Sequence, residues 1–482
     1  MADILFIMPR IGYMDSKRSS PALPLSVLSA VNLVSREYSI KILDMRISHN
    51  PVRELIEELK NKPVLVASTC WTGPMIKDVV KMLKIVKEFG DIPVVLGGVH
   101  PTLLPEQTIS SPYVDFIVSG EGELALLGLV KIIKNSGSID SIPNLYYKQN
   151  GAVKFTYSGE PLDLDKLPSL PYKLIDIKRH LPLYQGRRSI SYESSRGCPF
   201  KCKYCYQAPF NRQRVRFMSP ERVIADVLNL RQKYGVEDIY FIDDNFYIDI
   251  ERGIEIAKGL MKSDITYQIQ GVDIITLSKM DDKQLDLLEK SGLKRITIGI
   301  ETGSMRLRKY LLKKGDIETI IEVIKRLAKR KIIVYCSFFG GYPQETLEDI
   351  RMSIDLILKL IEINPNVRIS PYYIYIPFPG TELYQEIVNK GLFIEPVSFE
   401  SWGEFSWEDN PYINTFGKEK AEFYRRLYLL TLFADDKYKE YEYSLGRKTL
   451  AFIYHNIALF RLKYFFFNFM PEMMFYKYIL KD

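Results

Sequence analysis

The sequence predicts an α/β protein with a helical extension, and three observations predict it. Short runs of Val, Ile and Leu alternate with helix-spaced segments from Ile4 to Ile133. The same alternation resumes from Arg187 to Gly391, and the chain becomes aromatic-rich from Pro396 onward. Continuous apolar strands separated by helices point to parallel sheets covered on both faces.

Taken in order, "DILFIMPR" reads as a buried first strand. "PLSVLSAVNLVSRE" reads as a helix, with Leu25, Leu28, Val31 and Val34 at three-residue steps. The strand "YSIKILDM", the helix "PVRELIEELKN", the strand "PVLVASTC" and the helix "MIKDVVKMLKIVKEFG" follow, and "IPVVLGG" and "VDFIVSG" add two more strands. This is a Rossmann-like, doubly wound parallel sheet, and such open sheets bind ligands at the carboxyl ends of their strands. The Pro- and Leu-rich stretch 159–184 reads as a linker. Beyond it, "SISYESS", "DIYFIDD", "TYQIQGV", "RITIGIE", "IVYCSFFG" and "RISPYYIYI" are strands, and Ser219 and Pro220 open one of the helices between them. These six units make a partial (β/α)6 barrel of TIM type, with its site at the strand ends. The expected divisions are 1–158, 159–184, 185–395 and 396–482, the last mostly helical.

A chain of 482 residues with 46% apolar residues fits two or three domains with sizeable cores. A net charge of +7 favours anionic partners weakly and does not by itself indicate nucleic acid. Five cysteines are too few for a disulfide scaffold, so a reducing cytosol fits. The opening "MADILFIMPR" reads as a strand without a basic leader or cleavage site, and no apolar run is long enough to span a bilayer.

Three of the five cysteines, Cys198, Cys202 and Cys205, share the loop "GCPFKCKYCYQ" with the spacing C-x3-C-x2-C, directly after a strand. Three thiolates are the natural ligands for three irons of a [4Fe–4S] cube, leaving the fourth iron open to an amine and a carboxylate. Zinc is the other reading, but a closed zinc site wants a fourth Cys or His, and Cys70 and Cys336 are far away in sequence.

"CPFKCKYCY" resembles the signature of the radical S-adenosylmethionine (SAM) superfamily. The resemblance implies that Cys198, Cys202 and Cys205 hold the cluster, that SAM chelates the open iron, and that Tyr204 packs by the adenine. "FIDDNF" implies a carboxylate at Asp243, with Asp244 beside it, toward SAM's ammonium or the substrate. "GIETGS" places Glu301 where the family bonds the ribose hydroxyls, which suits a two-oxygen acceptor. "FGGYPQET" offers Gly340 and Gly341 for close backbone approach to SAM. Read without the resemblance, each of these is a polar turn above a barrel.

A Rossmann-like sheet before such a barrel resembles the cobalamin-dependent branch of that superfamily, over Met1 to about Leu392. "STCWTGP", "LGGVHPTLLPE" and "VSGEGE" resemble its cobalamin module, which implies that Trp71, Gly97, Gly98, Gly120, Glu121 and Gly122 contact the corrin. The Asp-x-His-x-x-Gly pattern that supplies a histidine to cobalt is not matched: Asp44 is followed by Arg46, while His49 and His100 read as turn residues. Cobalamin without a protein imidazole is the expectation.

The function implied is methyl transfer to an unactivated carbon, using a 5′-deoxyadenosyl radical and methylcobalamin. The alternative is oxidative ring formation with the same cofactors on a lipid or tetrapyrrole. A cobalamin sensor needs no open-iron cluster, and a methylthiotransferase carries a second cysteine trio, whereas Cys70 is alone in the first domain. The implied partners are a small-molecule or lipid substrate and a low-potential donor of the flavodoxin or ferredoxin kind. The tail adds a second expectation. Leu450, Ile453, Ile457, Phe460, Tyr464 and Phe467 recur at helical spacing, framed by Arg447, Lys448, Arg461, Lys463, Lys477 and Lys481. It reads either as a helix packed over the barrel or as a peripheral membrane contact.

Overall fold

The computed structural model describes residues 2–12, 15, 20–405, 410–437 and 445–471. Lys477 and Lys481 lie outside the described residues. The chain packs as two compact units. The first takes Met1–Pro199, Cys205–Ile239 and Phe378–Asn410, and the second takes Phe200–Tyr204, Tyr240–Pro377 and Pro411–Asp482.

The first unit is built on β1 (Ile4–Met8), β2 (Ile40–Asp44), β3 (Leu65–Thr69), β4 (Val94–Gly97), β5 (Phe116–Val118), β6 (Leu145–Gln149) and β7 (Ala152–Phe155). The sheet order is β2-β1-β3-β4-β5-β6-β7. Strands β1 to β5 pair in parallel. Their carboxyl ends therefore share one edge, where Met8, Asp44, Thr69, Gly97 and Val118 stand. All residues of β1 and β3 are buried, as expected for strands covered on both faces. Helix Met75–Phe89 buries Met75, Ile76, Val79, Met82, Leu83 and Val86 along one stripe.

The sequence reading missed β6 and β7, which extend the sheet antiparallel. Their signal is Asn150-Gly151, both at positive φ (51° and 79°), the dipeptide that a two-residue hairpin turn requires. The expected first helix is also broken. It runs from Leu25 to Ala30, and a separate turn follows at Val34–Arg36. Between them, buried Asn32 gives its side-chain amide to the Pro168 carbonyl at 2.8 Å.

The first unit also contains the hairpin of β8 (Leu183–Tyr184) and β9 (Arg187–Tyr192). A two-residue ladder joins β10 (Ser195–Arg196) to β11 (Arg216–Phe217). Helix Pro220–Tyr234 opens on Ser219, whose hydroxyl accepts from the Arg222 amide, and closes on left-handed Gly235.

The second unit holds the partial-barrel strands. They are β12 (Asp238–Phe241, entering from the first unit), β13 (Thr266–Val272), β14 (Leu293–Glu301), β15 (Ile333–Gly340), β16 (Val367–Ile369) and β17 (Tyr373–Ile374). Their order is β16-β15-β14-β13-β12, with β17 also on β15. The pairs of β14 with β13 and β15, and of β15 with β16 and β17, are parallel. The expected single strand "RISPYYIYI" is split in two because Pro371 has no N–H for the ladder. Helix Leu347–Ile363 opens with a reciprocal cap between Thr346 and Asp349. Helices Lys418–Leu432 and Leu445–Lys463 complete the unit. Among the described residues, no helix is long and apolar enough to cross a membrane.

Candidate active site

The cysteine loop leaves β10 through Gly197, whose φ is +93° and where a Cβ would collide with the Arg214 carbonyl. Side chains rarely adopt that backbone, so this turn requires glycine. Cys198, Cys202 and Cys205 are in no disulfide, and each is half-buried. Among the described residues, no three His, Cys, Asp or Glu side chains stand close enough to hold one metal ion. A cube takes each thiolate on a different iron, so its ligands stand apart. Burial pushes the Cys202 thiol up, and the ammonium of Lys313 opposes that push. The mid-loop is anchored by the Lys203 amide, which donates to the Leu311 carbonyl at 3.1 Å, and by the Lys203 ammonium over the Tyr310 ring. The Tyr204 ring lies 6.4 Å from that of Tyr342. Immediately after Cys205, the Tyr206 ring meets Trp71 edge-on at 5.5 Å and Phe378 at 5.8 Å.

Glu301 ends β14 in a conformation that is costly for a non-glycine residue, with φ +70°. Its carboxylate is buried; Oε1 is 3.6 Å from the Lys313 ammonium and, among the described residues, Oε2 has no hydrogen-bond partner. Gly299 lies beneath it, and a Cβ there would come within 2.3 Å of Oε1, so the carboxylate would have to move. Lys313 also stands 3.9 Å from Asp273. Burial alone would lower the Lys313 pKa, but Glu301, Cys202 and Asp273 together hold it above the ordinary lysine value. Arg308 fixes this corner by donating to the carbonyls of Ile300 (2.6 Å), Gly315 (2.7 Å) and Lys314 (2.5 Å). An orphaned, buried carboxylate oxygen in a strained backbone fits a ligand that brings hydroxyl donors.

Asp243 is buried after β12, and the carbonyls of Asp243 and Asp244 pass so close to Gly271 that no Cβ fits there. At the end of β15, the space over Gly340 is taken by Tyr372 and Glu345. The Gly341 amide, at φ +80°, donates to Glu345 at 2.6 Å. Sequence reasoning missed Glu345. It is fully buried, accepts from the hydroxyls of Tyr372 (3.0 Å) and Tyr424, and its pKa is pushed up to about 7, with burial the largest cause. Lys313 was missed as well; within "LKKGD" nothing local separates it from a solvated lysine.

In the first unit, Trp71 follows β3 and is 40% exposed, so it is not a core tryptophan. Gly97 closes β4. Gly98 has φ +97°, and a Cβ there would crowd Thr69 Oγ1 and the Cys70 carbonyl. Gly122 lies against Ala30. Gly120, at φ +84°, has no atom of the described residues within 4 Å of where its Cβ would be, and its amide donates to Thr102 Oγ1 at 2.8 Å. Open space above a left-handed glycine at a strand's carboxyl end is a cradle suited to a ligand. Arg46 is buried and grips Asp44 with Nε (2.8 Å) and Nη2 (2.6 Å). His49 is exposed, whereas His100 is fully buried. His100 packs between Phe399 and Trp402 and shares a hydrogen bond with Thr72 at 3.0 Å; burial pushes its pKa down to about 3.

Two family models match the chain: the B12 binding domain over residues 17–130 and the radical SAM superfamily over residues 192–357. The chain is a cobalamin-dependent radical SAM enzyme. Its cofactors are accordingly a [4Fe–4S] cluster, SAM and cobalamin. The enzyme is 28% identical over 381 residues to an uncharacterized methyltransferase, PH0819, of Pyrococcus horikoshii, a match covering 77% of this chain and 80% of that one. It is also 28% identical over 366 residues to an anaerobic magnesium-protoporphyrin IX monomethyl ester cyclase of Rubrivivax gelatinosus, covering 74% of this chain and 63% of that protein. The solved cobalamin-dependent SAM radical enzyme OxsB, with aqua-cobalamin and SAM bound, has the same fold. It aligns at a TM-score of 0.74 with 17% identity, over 100% of this chain and 75% of its own.

Proposed function

We propose that the enzyme transfers a methyl group to an unactivated carbon of a small, largely apolar substrate. The observation that carries this reading is one chain holding both a B12 binding module and a loop with three cysteines, none in a disulfide, at C-x3-C-x2-C spacing. When bound, the cluster and SAM supply the radical chemistry and cobalamin supplies the methyl group. The chain's own residues bind and orient. Cys198, Cys202 and Cys205 are the cluster ligands. Glu301 Oε2 accepts from the ribose hydroxyls, with the Lys313 ammonium 3.6 Å from Oε1. Tyr204, backed by Tyr342, flanks the adenine, and Asp243 faces SAM or substrate. Glu345 fixes the backbone of Gly340 and Gly341, which presents to SAM rather than contacting it through side chains. Trp71, Gly97, Gly98, Gly120 and Gly122 lie at the sheet edge suited to the corrin. The proposed divisions are 1–158 for cobalamin, 185–395 for radical chemistry and 396–482 as the extension.

The enzyme takes a small-molecule substrate and needs a reductant. A flavodoxin- or ferredoxin-like donor suits that low potential, and cysteines in no disulfide with an oxygen-labile cluster suit a reducing cytosol. The exposed aromatic face of the C-terminal helix supports a peripheral membrane contact and, with it, a lipid substrate.

Ring formation is the second reading, because the Rubrivivax gelatinosus cyclase is as similar as the Pyrococcus horikoshii protein. Anaerobic protein loaded with iron, sulfide and cobalamin, then given SAM, reductant and cell extract, separates the two readings. Methyl transfer yields 5′-deoxyadenosine together with S-adenosylhomocysteine, whereas ring formation yields 5′-deoxyadenosine alone. Cys202→Ser abolishes both products if the loop is the cluster site; retained turnover refutes the assignment.

A further inference from the structure

Strands β10 and β11 bracket the cysteine loop, and their ladder has two residue pairs, Ser195 opposite Phe217 and Arg196 opposite Arg216. Like charges directly opposite across a ladder repel. A two-pair ladder with guanidiniums on one pair therefore needs a counter-charge, and Glu121 provides it from the segment after β5. Glu121 Oε1 accepts from Arg196 Nη1 at 2.5 Å, and both its oxygens accept from Arg216 Nη1 at 2.8 Å. The Leu162 amide donates to Oε2 at 3.2 Å, and Arg216 returns to the Leu162 carbonyl at 3.1 Å. Arg196 uses its remaining nitrogens on Glu193 (2.8 Å), Ser29 (2.6 Å) and Glu123 (2.9 Å). Burial pushes the Glu121 carboxyl up, but Arg196 and Arg216 outweigh it and hold it below the usual carboxylate range. The side chains of Glu121, Arg196 and Arg216 are at most about one-fifth exposed, so the bridge is shielded from solvent. Its acceptor capacity is taken up by the protein's own donors.

We propose that Glu121 is a positioning residue for the cysteine loop. By bridging the arginines on the two strands that bracket the loop, it sets the separation at which the chain enters Cys198 and returns after Cys205, and so the geometry offered to the cluster. This rests on the assignment of Cys198, Cys202 and Cys205 as cluster ligands.

The test uses full-length protein, anaerobically loaded, as wild type, Glu121→Gln and the double variant Glu121→Gln/Arg216→Gln. Iron retained under chelator challenge, the electron paramagnetic resonance spectrum of the reduced cluster with and without SAM, and bound cobalamin by absorbance are measured. Glu121→Gln keeps the shape and one neutral acceptor but removes the negative charge shared by the two guanidiniums; Arg196 keeps Glu123 and Glu193, whereas Arg216 loses its carboxylate. The variant should retain iron roughly 10-fold less well, as expected for a group that orients metal ligands, with an altered spectrum and unchanged cobalamin. Removing the second guanidinium relieves the repulsion, so the double variant should move back toward wild type in both iron retention and spectrum. A wild-type cluster in Glu121→Gln overturns the proposal, whatever happens to cobalamin. Joint loss of cluster and cobalamin that the double variant does not restore also overturns it. A wild-type protein that takes up no iron refutes the cluster assignment itself, a result distinct from either.

Discussion

At the scale of single residues, Glu301 concentrates the cost of function. A left-handed backbone at a non-glycine residue costs about 1 kcal/mol or more, and a buried acceptor left unmade costs about 1–3 kcal/mol. Neither is repaid among the described residues, where Oε2 has no partner. A ligand that brings hydroxyl donors would supply the compensation. A hydrogen bond to a charged acceptor is worth about 1.5–3 kcal/mol. Glu301→Gln should therefore weaken SAM binding by roughly 10- to 100-fold. Lys313 keeps Asp273 as a counter-charge in that variant, so the melting temperature should change little. Titration of SAM into the cluster-loaded variant checks this. Unchanged affinity would remove Glu301 from the site.

At the scale of elements, Glu345 joins the end of β15 to helix Lys418–Leu432 through Tyr424, and to the break between β16 and β17 through Tyr372. Its pKa in the fold, about 7, lies above the ordinary value of 4.5. A raised carboxyl contributes fully below the unfolded pKa and loses that contribution as pH rises toward the folded value. Stability should thus fall between about pH 4.5 and 7 by an amount of order 3 kcal/mol from this group. Glu345→Gln, which keeps acceptor and shape without ionising, should flatten that slope in chemical denaturation across the range; an unaltered slope refutes the assignment. This network also marks where sequence reading stops. Spacing of cysteines within one loop is local and therefore legible, and Val/Ile/Leu runs show the sheets because burial on both faces leaves no alternation. Glu345 meets Tyr372 and Tyr424 from 27 and 79 residues away, and Glu121 meets Arg196 from 75. No periodicity records such pairs. For the same reason, the sequence does not separate Gly98 and Gly122, where a Cβ would meet the chain's own atoms, from Gly120, where it would meet no described atom within 4 Å. The hairpin at Asn150-Gly151 is local and therefore legible, but it departs from the wholly parallel sheet that the preceding strand–helix alternation predicts.

At the scale of the molecule, helix Leu445–Lys463 shows that its apolar character serves two surfaces. Ala451, Tyr454, Ala458 and Leu462 are buried, two of them small enough to let neighbouring helices approach closely. The other side exposes Phe452, Ile453 and Phe460, and the chain beyond exposes Tyr464, Phe466 and Phe469, the last at 81%. Isolated exposed apolar residues are ordinary, but a run of them along one helix and its extension is not. The charge pattern bears on which surface they would suit. Residues 445–471 contain four Lys or Arg and no Asp or Glu, and Lys448 and Lys463 are exposed. Aromatics with bases and no acids suit an anionic lipid interface, where the rings enter the boundary and the ammonium groups meet headgroups. The full-length enzyme should therefore co-sediment with phosphatidylglycerol-containing vesicles more than with phosphatidylcholine vesicles, and salt should weaken the binding. Burying a half-exposed phenylalanine contributes about 1 kcal/mol, so Phe460→Ser/Phe469→Ser should reduce partitioning roughly 10-fold or more. Catalytic turnover on a water-soluble substrate would stay intact, because neither residue belongs to the cofactor machinery. Equal recovery with both vesicle types and with vesicle-free buffer would show that these aromatics face something other than lipid.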